Sequence, residues 1–292
     1  MRQRSSPNRF SHSKLTTFEN CPQQYKFNYI MKIKTDIQGV EAHVGSVVHD
    51  CLEWVYDRAL INRIPSEALL REFYEKFWAS RYSDSIRIVK EGATIEEYKA
   101  GGFEILQRYY KSQIPVKGFK VLFNELHVES KFSEHLSCHG YIDRVDLMEP
   151  NHIRIVDYKT SNSKPTSYEL DFSQQLSMYQ IMLHDMLKKG TLVIPGVNPG
   201  EVEFSLMWVY LRHDKFMTTA RTPLHLKETK EWVLKTIEST REAEELNHFP
   251  ARLSFLCNWC GFQDICESHQ ADKNGTDPSL VSSSKPKILI EV

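Results

Sequence analysis

The sequence predicts an α/β fold: a central mixed sheet flanked by helices and interrupted by a helical insertion. Three observations carry that prediction. A turn at Glu149-Pro150-Asn151-His152 separates two runs that alternate with period two, with Tyr141, Asp143 and Val145 before it and Ile153, Ile155 and Asp157 after it. Elsewhere the apolar residues recur at helical spacing, as in Val48, Leu52 and Val55. At 292 residues, 41% hydrophobic, the chain is long enough for one substantial core, so a single domain over 13–270 with insertions suffices.

Taken in order, residues 1–12 are polar and basic and read as a flexible terminus until Ser13 caps the first helix. Pro22 breaks that helix near Cys21 and places the thiol at a bend. A helix from about Gly45 to Leu60 leads into an insertion over about 60–115, with one helix through Leu69, Phe73 and Phe77 and another through Tyr98, Phe103, Leu106 and Tyr110. Such spacing marks helix cores; a cap whose aromatics stack the bases of a single strand is the other reading. Strands follow at about 121–131, 137–148 and 152–159, then a helix from about Asp171 that carries Gln175, Leu176, Tyr179 and Leu183. Pro195, Gly196, Pro199 and Gly200 mark a loop before strands at about 201–212 and 215–221 and a charged helix over about 227–246. A cysteine-bearing segment spans about 250–270. The composition of 271–292 reads as a flexible tail, although its apolar end, Lys287 to Val292, could add a strand to a partner's sheet edge.

The chemistry concentrates at the hairpin. A turn symmetric about Pro150 puts Asp143 opposite Asp157, and opposed carboxylates on one face call for a cation, most simply a divalent metal. Lys159, two residues beyond Asp157, projects from the same face. Two acids and an ammonium suit phosphodiester hydrolysis, with carboxylates holding Mg2+ or Mn2+ and the lysine orienting water or offsetting charge on phosphorus. A surface hairpin with an ordinary ion pair is the plain alternative. Glu125, on the strand before, reads as a structural acid or a supporting one.

Four cysteines, Cys21, Cys257, Cys260 and Cys266, have a spacing compatible with either zinc or an iron–sulfur cluster, while Cys51 and Cys138 read as buried thiols. A net charge of −1 excludes a global positive field, so nucleic-acid binding would need a local basic groove drawn from Lys14, Lys26, Lys32, Lys34, Arg144 and Lys164. Six cysteines without an apolar leader or a membrane-spanning run point to a reducing, cytoplasmic compartment and no membrane.

The motifs in sequence order carry a resemblance. Ser11-His-Ser13-Lys-Leu15-Thr-Thr-Phe18-Glu-Asn-Cys21-Pro22, Gly45-Ser-Val-Val-His49, Gly140-Tyr-Ile-Asp143, Asp157-Tyr-Lys159-Thr160, Gln175-Leu-Ser-Met-Tyr179 and Cys257-Asn-Trp-Cys260 with Cys266 together resemble the RecB-like branch of the PD-(D/E)XK nucleases. The likeness is specifically to its iron–sulfur members, such as the AddB nuclease domain and the CRISPR-associated spacer-acquisition nuclease. The resemblance implies a restriction-endonuclease-like sheet and a metal held by His49, Asp143 and Asp157. It implies catalysis by Asp143, Asp157, Lys159, Gln175 and Tyr179. A 4Fe-4S cluster on Cys21, Cys257, Cys260 and Cys266 would join the two ends of the domain, shielded by Trp259 and Phe262. An imidazole ligand favours Mn2+ over Mg2+.

The expected activity is a metal-dependent DNA exonuclease acting on ends or single strands, in recombination, repair, phage DNA processing or spacer capture in a bacterial, archaeal or phage-infected cell. Two other readings stand beside it. One is a cluster-containing DNA-binding subunit active only with a helicase, recombination or integration partner; the other is a zinc-stabilised endonuclease of restriction type.

Overall fold

The computed structural model describes residues 8–163 and 166–275. In chain order these form β1 (Arg9–Phe10), α1 (His12–Asn20), α2 (Pro22–Tyr25), β2 (Gln38–Gly39), α3 (Val40–Leu60), α4 (Glu67–Arg81), β3 (Ile86–Arg87) and α5 (Ile95–Gln113). There follow β4 (Lys120–Lys131), β5 (Ser137–Glu149), β6 (His152–Lys159), α6 (Ser167–Asp171), α7 (Gln174–Lys188), β7 (Glu203–Tyr210), β8 (Lys215–Thr219), α8 (Pro223–Glu245) and α9 (Glu267–Lys273). A six-stranded mixed sheet runs β1-β5-β6-β7-β8, with β4 also paired to β5. The meander β4-β5-β6 is antiparallel, β6 and β7 are parallel, and β8 returns antiparallel to β7. The parallel pair requires a crossover, and α6 and α7 supply it.

Each face of the sheet is covered by its own helical layer. On one side Ile153, Ile155, Leu206 and Trp208 pack with Leu176, Met182 and Leu183 of α7, Leu15 of α1 and Val233 and Ile237 of α8. On the other, Val156, Tyr158, Met207 and Val209 meet Val48, Leu52 and Val55 of α3, Leu70 and Tyr74 of α4 and Phe103, Leu106 and Tyr109 of α5. The insertion is therefore the second layer of the fold. Phe73, Phe77, Tyr98, Phe103 and Tyr110 are buried or half-buried in that layer and pack its core.

Several boundaries differ from expectation for identifiable reasons. Ser11, not Ser13, caps α1, its Oγ accepting the Lys14 N–H at 3.2 Å. Arg9 and Phe10, expected within a flexible terminus, pair in parallel with Ser137 and Cys138 and bury Phe10. Helix α3 begins at Val40 because Val40 and Val44 extend its buried stripe ahead of Gly45. Asp171 ends a separate short helix with a Thr166/Glu169 capping box, and α7 starts afresh under a Ser173 cap. Thr222 and Pro223 start α8 earlier than its charged residues suggest. Helix α9 carries regular structure to Lys273, past the expected start of the tail. Lys164 and the Lys287–Val292 segment lie outside the described residues. Among the described residues no helix is long and apolar enough to cross a membrane.

Ile155 is fully buried at the centre of the first core. Ile155→Ala should cost about 2–5 kcal/mol of unfolding free energy, measured by urea denaturation followed by circular dichroism.

Candidate active site

The sheet register assembles the site. Arg144 pairs with Val156 across β5 and β6, so the same register carried one residue further sets Asp143 beside Asp157. Asn124 pairs with Arg144 and Leu126 with Ile142, which leaves Glu125 of β4 across from Asp143 on its other side. Three carboxylates thus stand in a row on three neighbouring strands. Glu125 occupies the left-handed region at φ 48°, an uncommon backbone state for a side chain of its size, held within the sheet by the flanking pairs.

Helix α3 brings His49 over this row. Its Nδ1 is 3.6 Å from Asp143 Oδ1 and its Nε2 is 3.1 Å from the Tyr158 carbonyl oxygen. Gly45, one turn earlier, allows the helix that close: a Cβ there would stand 3.0 Å from Thr160 Oγ1. Donor atoms of His49, Glu125 and Asp143 all lie within 4.8 Å of one another, a spacing a single cation can bridge. The backbone N–H of Tyr158 donates to Asp143 Oδ2 at 2.7 Å.

At the end of β6, Lys159 Nζ is 2.6 Å from Asp157 Oδ2 and donates to Gln175 Oε1 at 3.0 Å. Gln175 Nε2 in turn donates to the Tyr179 hydroxyl at 3.1 Å, as their spacing of four on α7 allows. Tyr179 lies close against Gly140, where an added Cβ would meet its ring at 2.7 Å. The ammonium is thereby held between a carboxylate and an amide.

Electrostatics records the crowding of like charge. Burial and then the charges of Asp143 and Glu53 push Glu125 up to about 7. Burial raises Asp157 above its ordinary value against the pull of Lys159. Burial alone would lower His49, but the hydrogen bond and charge of Asp143, joined by Asp157 and Glu125, carry it up to about 9. A divalent ion would offset the same crowded charge, and the donor set of imidazole and carboxylates fits Mg2+ or Mn2+.

Of the residues expected from the sequence, His49 and Asp143 share a donor group with Glu125, whereas Asp157 pairs with Lys159 in a chain that continues to Gln175 and Tyr179; two residues join them. Glu125 sits in the row itself, and pairing position 143 with 125 on the preceding strand is the signal for it. His12 lies near enough to Lys159 to feel its charge: burial and then Lys159 lower its pKa to about 4, and its ring is 5.9 Å from that of Trp232. Arg144, expected in a basic groove, is instead buried in an ion pair with Asp146, because strand alternation turns it to the opposite face. Lys14 lies 4.2 Å over the Phe10 ring, whereas Lys32 and Lys34 are exposed at the surface.

The four cysteines converge on one cavity lined also by Phe27, Phe262 and His269. Backbone N–H groups of Arg252 and Ser254 donate to the sulfurs of Cys21 and Cys257 at 3.5 Å. Burial above all raises Cys260 and Cys266, with the neighbouring thiols adding to it. Phe262 is buried beside Phe27; Trp259, expected to shield the thiols, is exposed and donates to Glu41 at 3.1 Å.

A mixed sheet with helices on both faces and an acid, acid and lysine set on two adjacent central strands defines the nuclease-type α/β folds. The family model described as "PD-(D/E)XK nuclease superfamily" matches residues 9–267, and the chain belongs to that superfamily. It is 26% identical over 170 residues to a subunit of the ATP-dependent helicase/deoxyribonuclease of Streptococcus uberis. That alignment takes in 54% of this chain and only 14% of the much longer relative. A solved structure from Eubacterium rectale, described as a candidate exonuclease, aligns over 84% of this chain and 88% of its own at 12% identity, with a TM-score of 0.46.

The raised groups set a sign for pH. Glu125 and His49 hold protons in the folded state at pH values where an unfolded chain releases them, so metal-free stability falls as pH rises from about 4.5 through 7 for the acid and from about 6.5 through 9 for the histidine. Thermal melts in EDTA should fall across that window, Mn2+ should offset the fall increasingly toward pH 9, and Glu125→Gln should flatten its lower half.

Proposed function

We propose that the protein is a metal-dependent deoxyribonuclease, an exonuclease working from DNA ends or single strands. The observation that carries this reading is the row Glu125, Asp143 and Asp157 with His49 above it and Lys159 at its end. His49, Asp143 and Asp157 would hold Mg2+ or Mn2+, with Glu125 completing the acidic wall. When bound there, the ion would polarise the scissile phosphate and acidify a water. Lys159 sits where its ammonium can orient that water or offset charge developing on the phosphate oxygens. Gln175 keeps the ammonium turned toward the carboxylates, and Tyr179 keeps Gln175 in place.

The second part of the proposal is a 4Fe-4S cluster on Cys21, Cys257, Cys260 and Cys266. What supports this reading is that the four cysteines, Cys21 far along the chain from the other three, line one cavity. When bound, the cluster would tie α1 to the segment after α8. The relative from Streptococcus uberis, being part of a helicase/deoxyribonuclease, suggests a helicase-bearing partner.

Cleavage of end-labelled single- and double-stranded DNA with Mn2+ or Mg2+ tests the activity. The wild type should cut, while Lys159→Ala and Asp157→Ala should each lose about 10²–10³-fold or more in rate, as expected for removal of a charge that faces the transition state. Equal cutting by Lys159→Ala would remove that residue from the chemistry. Anaerobically purified protein should be brown, and Cys260→Ser should bleach it.

A further inference from the structure

The residue between Asp157 and Lys159 holds the site from behind. Tyr158 points to the opposite face of the sheet, where its ring is buried. Its backbone serves the site directly: the N–H holds Asp143 and the carbonyl faces His49. The position of one ring therefore fixes the mutual placement of two side chains that would hold the metal.

That ring is anchored by a buried polar network. Arg144, the neighbour of Asp143, donates from Nη1 to the hydroxyls of Tyr158 at 2.5 Å and Tyr109 at 2.8 Å. Its Nε and Nη2 form a two-point pair with Asp146, which also accepts from Arg154. Tyr109 comes from α5 and shares a hydrogen bond of 2.7 Å with Tyr56 of α3. Tyr56 lies two turns after His49 on the same helix, so the network steadies both the strand and the helix that deliver donors.

We propose that Tyr109, with Tyr56 and Arg144, is a positioning element through which the helical insertion sets the geometry of the metal site. The inference rests on the metal-dependent nuclease reading. Side chains that orient ligands without touching the ion act on metal affinity, which falls when they are removed. The burial of an arginine among three tyrosines directly behind Asp157-Tyr158-Lys159 has that form. The hydroxyls of Tyr109 and Tyr158 satisfy guanidinium protons that would otherwise be buried alone.

The test uses three conservative variants of the full chain. Tyr109→Phe and Tyr158→Phe each delete one hydroxyl that accepts from Arg144. Tyr74→Phe deletes an equally buried hydroxyl of the same helical layer, bonded to the Lys99 carbonyl at 2.8 Å and outside the network. Mn2+ binding is measured by isothermal titration calorimetry, melting by circular dichroism, and cleavage at saturating Mn2+ in parallel. The two network variants should bind Mn2+ about tenfold or more weakly, with most of the maximal rate retained once metal is saturating. Tyr74→Phe should melt lower and bind Mn2+ as the wild type does. Unchanged Mn2+ affinity in both network variants, with melting lowered as in Tyr74→Phe, would overturn the inference and leave the network a packing feature. A wild type that neither binds Mn2+ nor cuts DNA would overturn the functional reading beneath it.

Discussion

Mutual repulsion among Glu125, Asp143 and Asp157 is the constraint around which this molecule is arranged. Carboxylates on adjacent strands destabilise a sheet unless something offsets their charge. Here the offset comes from three directions: Lys159 from the end of β6, His49 from α3 above, and the backbone amide of Tyr158 within the row. Each of those groups depends on a further contact for its own position, through Gln175 on α7, Gly45 on α3 and the tyrosine network behind the sheet. The two helical layers serve this row as much as they serve burial.

The cysteine segment performs a parallel task at the edge of the fold. It meets α1 through Cys21 and the Arg252–Glu19 contact, and it also reaches the insertion. Glu41 at the start of α3 accepts from both Trp259 and Tyr98, Thr35 donates to the Gly261 carbonyl, and Arg87 approaches the Cys260 carbonyl at 3.5 Å. The segment therefore touches the first helix, the linker into α3 and the helical layer that carries Tyr109.

Much of this is legible in the sequence because the informative signals are local. Alternation about Pro150 yields the hairpin, and its symmetry yields the meeting of Asp143 with Asp157. Spacing of four puts Gln175 and Tyr179 on one face. What escapes depends on contacts between distant segments. The pairing of Arg9–Phe10 with β5 has no signature in a two-residue run. Arg144 looks like a surface cation because the tyrosines that bury it come from α3, α5 and β6. The weight of Glu125 is hidden because its place beside Asp143 follows from the register of β4, which composition does not reveal. Helix starts at Ser11, Ser173 and Thr222 fall a few residues from their expected places because several serines and threonines lie near each end, and tertiary packing chooses among them.

The distance along the chain between Cys21 and its three partners has a consequence for biosynthesis. A ribosome releases α1 and its thiol early, whereas Cys257, Cys260 and Cys266 emerge only after almost all of the folded region has been made. During that interval the hairpin, the crossover and both helical layers can form, since their core contacts involve only residues ahead of Cys257. Until then the thiol of Cys21 stands beside a finished sheet without the three thiols that share its cavity. The cavity that the four thiols line is thus completed last, and a chain truncated ahead of Cys257 would carry its acidic row and lysine without that cavity.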